Sequence, residues 1–126
     1  MAKISICIDV SSIDKGIDFY CEALGCTLIN KRDSYTELLF DGITIYLSEK
    51  ENGSNPLLNH HAKRDFERHW TPVHLDFHVD NIQHSVEKII EYDGTKEGES
   101  NGDWGSAAFC ADPFGNGFCV IHYHSK

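Results

Sequence analysis

The sequence lacks an apolar run near the roughly 20 residues that a membrane-spanning helix needs. It also lacks any block of basic residues: the densest group is Lys63-Arg64, with Arg68 nearby. Eleven Lys and Arg stand against twenty Asp and Glu, a net charge of −9. A protein that binds duplex DNA neutralises phosphates with Lys and Arg, so nucleic acid and anionic membranes are excluded as expected partners. There are five cysteines, an odd number, and no CxxC pair. That excludes a disulfide framework and a zinc ribbon, and leaves reduced, mostly buried thiols. The opening residues MAKISICIDV have no long apolar core and no small-residue cleavage site, so a signal peptide is not expected and a cytoplasmic location is.

What remains suits one compact unit. The 126 residues are 40% apolar and 25% charged, enough for an ordinary core.

The chain repeats itself. ISICIDVSSI (4–13) aligns with VHLDFHVDNI (73–82), Ile4 on Val73, an offset of 69 residues. Ile6 and Ile8 fall on Leu75 and Phe77, and Val10 on Val79. Each stretch alternates, so each predicts a strand with one apolar face. The opposite faces carry Ser5, Cys7 and Asp9 in the first copy, and His74, Asp76 and His78 in the second. After each strand, helical spacing follows. In residues 12–24 the stripe is Ile13, Ile17, Tyr20, Cys21 and Leu24, capped by Ser11 or Ser12 and stopped by Gly25. In residues 82–93 it is Ile82, Val86, Ile89 and Ile90, capped by Asp80 or Asn81 and stopped by Gly94.

Strands are predicted next at 27–31, 35–40 and 43–48, with a hairpin at Asp41-Gly42. In the second copy they are predicted at 107–111 and 117–124, joined by the turn Asp112-Pro113-Phe114-Gly115-Asn116-Gly117. A weaker strand precedes a loop around Glu97 to Gly105. Each half reads β-α-β-β-β, and each sheet has a second face that stays open until the halves combine. The expected fold is α+β: two βαβββ modules, 1–48 and 73–126, joined by a linker, 49–72. A pseudo-two-fold relates them in a curved mixed sheet with a central cleft inside and helices outside.

The linker opens with EKENGSNP, a flexible-looking stretch. Leu58, Ala62, Phe66 and Trp70 then recur every four residues and predict a short amphipathic helix. His60, His61 and His69 read as surface or linker residues. GTKEGESNGDWGS (94–106) reads as a glycine-rich, acidic access loop. Its Trp104 either stacks on a ligand over the cleft or packs on a neighbouring strand.

These residues resemble the vicinal oxygen chelate superfamily, which contains glyoxalase I, bleomycin-resistance proteins, fosfomycin-resistance enzymes and extradiol dioxygenases. The resemblance rests on ISICIDVSSIDKGIDFYCEALGC, VHLDFHVDNI and ADPFGNGFCVIHY. It implies a small-molecule cleft, and commonly a homodimer with clefts shaped by both chains. It also implies that metal ligands, where present, stand at Ser5, Thr44, His74 and Cys119, usually as His and Glu or Gln. Only His74 keeps the type, although Cys119 could ligate zinc as thiolate.

Three ligands on one straight strand do not converge easily. Same-face neighbours are about 6.6 Å apart at Cα, so His74 and His78 are about 13 Å apart. The expectation is therefore a small-molecule-binding protein without the usual catalytic metal. Its cleft is lined by Ser5, Cys7, Asp9, Thr44, His74, Asp76, His78, Trp104 and Cys119. Asp9 and Asp76 need partners if buried, and the cleft histidines are the candidates. The alternatives are a metal-dependent lyase, isomerase or dioxygenase with a divalent ion at His74, and an interaction module with no small ligand.

Overall fold

In a computed structural model, residues 2–57 and 62–124 are described. The order is β1 (Ser5–Val10), α1 (Ile13–Ile17), β2 (Thr27–Lys31), β3 (Tyr35–Phe40), β4 (Ile43–Glu49), β5 (Leu75–His78), α2 (Ile82–Glu91), β6 (Thr95–Gly102), β7 (Gly105–Ala111) and β8 (Gly117–Tyr123). The two βαβββ modules are both present. Each holds a mixed four-stranded sheet, ordered β1-β4-β3-β2 and β5-β8-β7-β6. In each, the first strand pairs in parallel with the last and the other pairs are antiparallel. Among the described residues, no helix is long and apolar enough to cross a membrane.

Ser12 caps α1 by accepting from the Lys15 amide, and Asn81 caps α2 by accepting from the His84 amide. Gly25 closes the first helical segment at φ 85°. Gly94 plays a different part from the expected stop. The positive φ at the end of α2 belongs to Asp93 (73°), while a Cβ on Gly94 would meet Ile89, Phe19 and the Ala111 carbonyl within 3 Å. Gly94 is there for close packing.

Residues Asp18–Ala23 are wound as a π-helix. Its wider turn changes which side chains face inward. Phe19, which the predicted stripe omits, is fully buried, whereas Ile17 and Cys21 are only half-buried. The hairpin at Asp41-Gly42 has positive φ at both positions (49° and 78°), the combination that a two-residue hairpin with strand-matching twist requires.

Two predictions fail. Ala62 to Trp70 form no helix. They run over the 112–117 turn, held by backbone and side-chain bonds rather than by their own helical ladder. Leu58, His60 and His61 lie outside the described residues. The access loop 94–106 is a β-hairpin: β6 and β7 pair from Thr95–Ala111 to Gly102–Gly105. Pairing with β7 overrides the weak strand propensity of glycine and acidic residues.

One core serves both modules. Ile8, Val10, Phe19, Leu38, Ile45 and Leu47 from the first join Phe77, Ile89, Phe114, Phe118 and Val120 from the second. Phe19–Phe118, Phe40–Phe77 and Phe77–Phe118 meet edge-on at 5.9, 5.2 and 5.7 Å. With the apolar face of β1 and β5 turned inward, their polar residues are left outside.

Candidate functional site

Alternation along β5 exposes His74, Asp76 and His78 on one face while Phe77 is buried. Register then brings in β8: Asp76 lies opposite Cys119, so the two share that face. His74 turns along the strand, its Nδ1 3.1 Å from Asp76 Oδ1 and 4.0 Å from Cys119 Sγ. The nitrogen, carboxylate oxygen and sulfur all lie within 4.8 Å of one another. The convergence that one straight strand forbids is achieved by two adjacent strands. The Cys119 thiol is pushed up to about 11, first by burial and then by the Asp76 charge.

The remaining cleft residues divide. His78 leaves this trio and stacks at 5.3 Å on Tyr123, which in turn meets Trp104 at 6.0 Å. Trp104 thus packs on a neighbouring strand at the tip of the β6–β7 hairpin. Asp9 is paired with Arg64 of the linker at 2.8 Å rather than with a histidine. Cys7 is exposed, its thiol raised by partial burial and by Asp9. Cys7 and Asp9 line one cavity with His74, Thr71, Val73 and Asn116, of about 400 Å³. A second cavity, about 280 Å³, has His74 and Cys119 in its wall together with Arg68, Trp70, Glu97 and Phe109.

Ser5 and Thr44 are directly opposite each other across β1 and β4. That register also names a residue the sequence reading missed. Asp76 pairs with Cys119 and its counterpart Cys7 pairs with Tyr46, so Tyr46 is the first module's equivalent of Cys119. The constant offset hid it, because the separations differ: 119 − 76 = 43 against 46 − 7 = 39. The residues added in the second module displace the last strand from the repeat.

Access to this face is shaped by the docked linker. Arg68 donates from Nε and Nη2 to the Glu97 carboxylate at 2.6 and 2.9 Å and from Nη1 to the Gly115 carbonyl. These hydrogen bonds, and then the Arg68 charge, hold Glu97 below its ordinary value despite partial desolvation. Beneath it, Asp112 is a buried carboxylate that accepts four bonds. These come from the Phe114 and Asn116 amides, the Asn116 side chain and the Tyr20 hydroxyl. Burial raises Asp112 despite them. The 112–117 turn is therefore a geometric device, and Asn116 also donates to the Asp9 carbonyl.

A family profile described as a glyoxalase-like domain matches residues 5–121. No curated protein matches the chain. Among solved structures, fosfomycin resistance protein FosX from Listeria monocytogenes superposes with a TM-score of 0.74 at 16% identity, covering 98% of this chain and 94% of that one. A mutant of that protein, complexed with Mn(II) and dihydroxypropylphosphonic acid, gives 0.72 at 17% identity over 96% and 90%. FosX from Mesorhizobium loti gives 0.72 at 10% over 98% and 92%. Identities this low speak for the shared fold.

Proposed function

This chain belongs to the glyoxalase-like domain family, and on that premise we propose that it binds a small molecule in the polar cleft beside a divalent metal held by His74, Asp76 and Cys119. The carrying observation is the convergence of an imidazole nitrogen, a carboxylate oxygen and a sulfur within 4.8 Å. Zinc bonds of about 2.0–2.3 Å in tetrahedral geometry set neighbouring donors roughly 3–4 Å apart, so small side-chain movements suffice. The residues present fit such an ion. A sulfur ligand favours zinc over manganese, which prefers oxygen. When bound, zinc with three protein ligands supplies an open fourth position for a water or a substrate oxygen.

The chain's own residues define the rest. His74 and Asp76 are both solvent-reachable, and Cys119 closes the site from below. Cys119 has to lose its proton to ligate, and the trio is already mutually satisfied without an ion. That second fact supports the other reading, a metal-free binder in which the same groups form a polar floor.

Metal analysis of untagged protein separates the two. About one zinc per chain, weakened at least tenfold by His74→Ala, supports the metal site. No bound metal, no uptake from added zinc and unchanged melting in chelator would leave the metal-free binder.

We also infer a homodimer. Ile4, Trp70 and Val73 are 84%, 78% and 79% exposed, an apolar set that a second copy would cover. Light scattering at about 29 kDa supports this, twice the 14.3 kDa of one chain; a mass of one chain at micromolar concentration refutes it.

A further inference from the structure

The largest of the described cavities, about 470 Å³, is lined jointly by β1, the β3–β4 hairpin and β5. Its polarity is graded. Ile45 and Phe77 are buried, Ile6 and Leu75 half-buried, and Asp41, Asp76 and His78 exposed. The apolar end therefore lies in the core and the charged end meets solvent. The lining contains two carboxylates and no Lys or Arg. Asp41 makes no ion pair among the described residues, while Asp76 is engaged by His74 and Cys119. The volume is within the range of small-ligand sites, and the chain's net charge of −9 adds to the same field.

We propose that this slot binds an apolar amine, its hydrocarbon body on Ile6, Ile45, Leu75 and Phe77 and its ammonium group at Asp41, with Asp76 adding to the field. This deepens the reading of the cleft as a small-molecule site by naming a ligand class, and it rests on that reading but not on a bound metal. The physical reason is one of sign. A carboxylate or phosphonate of the same shape would bring its charge toward two acids without a cation to receive it. A neutral analogue would gain only the apolar burial.

The test compares three probes with one body: naphthylmethylamine, naphthylmethanol and naphthoate, titrated calorimetrically in a chelating buffer. The amine should bind about fivefold tighter than the alcohol, the size of one exposed ion pair, and the naphthoate weakest. Asp41→Asn should bring the amine down to the alcohol. Ile43→Lys, at a wall position 45% exposed and so tolerant of charge, should make naphthoate the preferred probe. Either of two results overturns the proposal. One is that none of the probes binds protein shown to be folded by circular dichroism. The other is that the order of the three is unchanged in both variants. Zinc titration of the same preparations keeps the two readings apart. Lost zinc binding with the amine preference intact removes the metal alone, and the converse removes the amine slot alone.

Discussion

Gly115 has φ 84°, and a Cβ there would sit 2.1 Å from the Glu67 carbonyl. The linker chain passes so close that only glycine fits. Gly115→Ala should therefore lower stability by about 2 kcal/mol or more, combining strain and displacement. It should also raise amide exchange at His69, whose N–H donates to the Gly115 carbonyl. Unchanged melting would contradict that packing. Tyr20→Phe tests the same turn from below. It strips a buried acid of one of its four partners, and about 1–3 kcal/mol should be lost in denaturant titration. At this scale the sequence was only partly readable. His74 and Cys119 were marked by resemblance, and the alternation of β5 put Asp76 on their face. That Asp76 rather than His78 completes the trio depends on which residue β8 sets opposite, and a single strand's spacing does not contain that. Arg64 as the partner of Asp9 was out of reach for the same reason: 55 residues separate them.

Strands with alternation and helices with caps were legible as elements because local chemistry and tertiary demand agree there. The hairpin at 41–42 and both N-caps are of this kind. The failures are elements whose conformation comes from a neighbour. Glycine and acidic residues within Thr95–Gly102 become a strand because β7 supplies the ladder. The four-residue recurrence through Phe66 and Trp70 reads as a helix, yet the segment is pinned by Arg68 to Glu97 and by Phe66 N–H to Asn52. That pinning has a pH signature. The folded pKa of Glu97 is lowered by Arg68 below its ordinary 4.5, so its contribution is present above pH 4.5 and fades as pH falls through the lowered value. The pair is largely exposed, so the effect is local. Amide protection in 66–69, taken relative to the intrinsic exchange rate at each pH, should fall on acidification below pH 4.5, and Glu97→Gln should show the low protection already at neutral pH. Equal rates in the two proteins at pH 7 would mean that the ion pair does not hold the linker.

On the scale of the molecule, the duplication was visible as two strand–helix copies, but the surface that unites them was not. The repeat aligns Ile8 with Phe77 and Tyr20 with Ile89, and nothing in that alignment says which aromatic touches which. The structure joins the modules through Phe19 and Phe40 of one and Phe77 and Phe118 of the other. With the main core shared, the second module has only the small cluster of Ala107, Cys119 and Ile121 to retain when the first unfolds. Unfolding should then be a single transition. Phe77→Ala removes the ring that contacts both Phe40 and Phe118, and about 3–5 kcal/mol should go with it. The loss should appear equally in both sheets. Hydrogen exchange in denaturant is the measurement, with amides of β3–β4 reporting the first module and those of β7–β8 the second. If the β3–β4 amides kept their wild-type protection while β7–β8 opened, the modules would be independent units that merely touch, and the aromatic joint would carry little of the stability assigned to it.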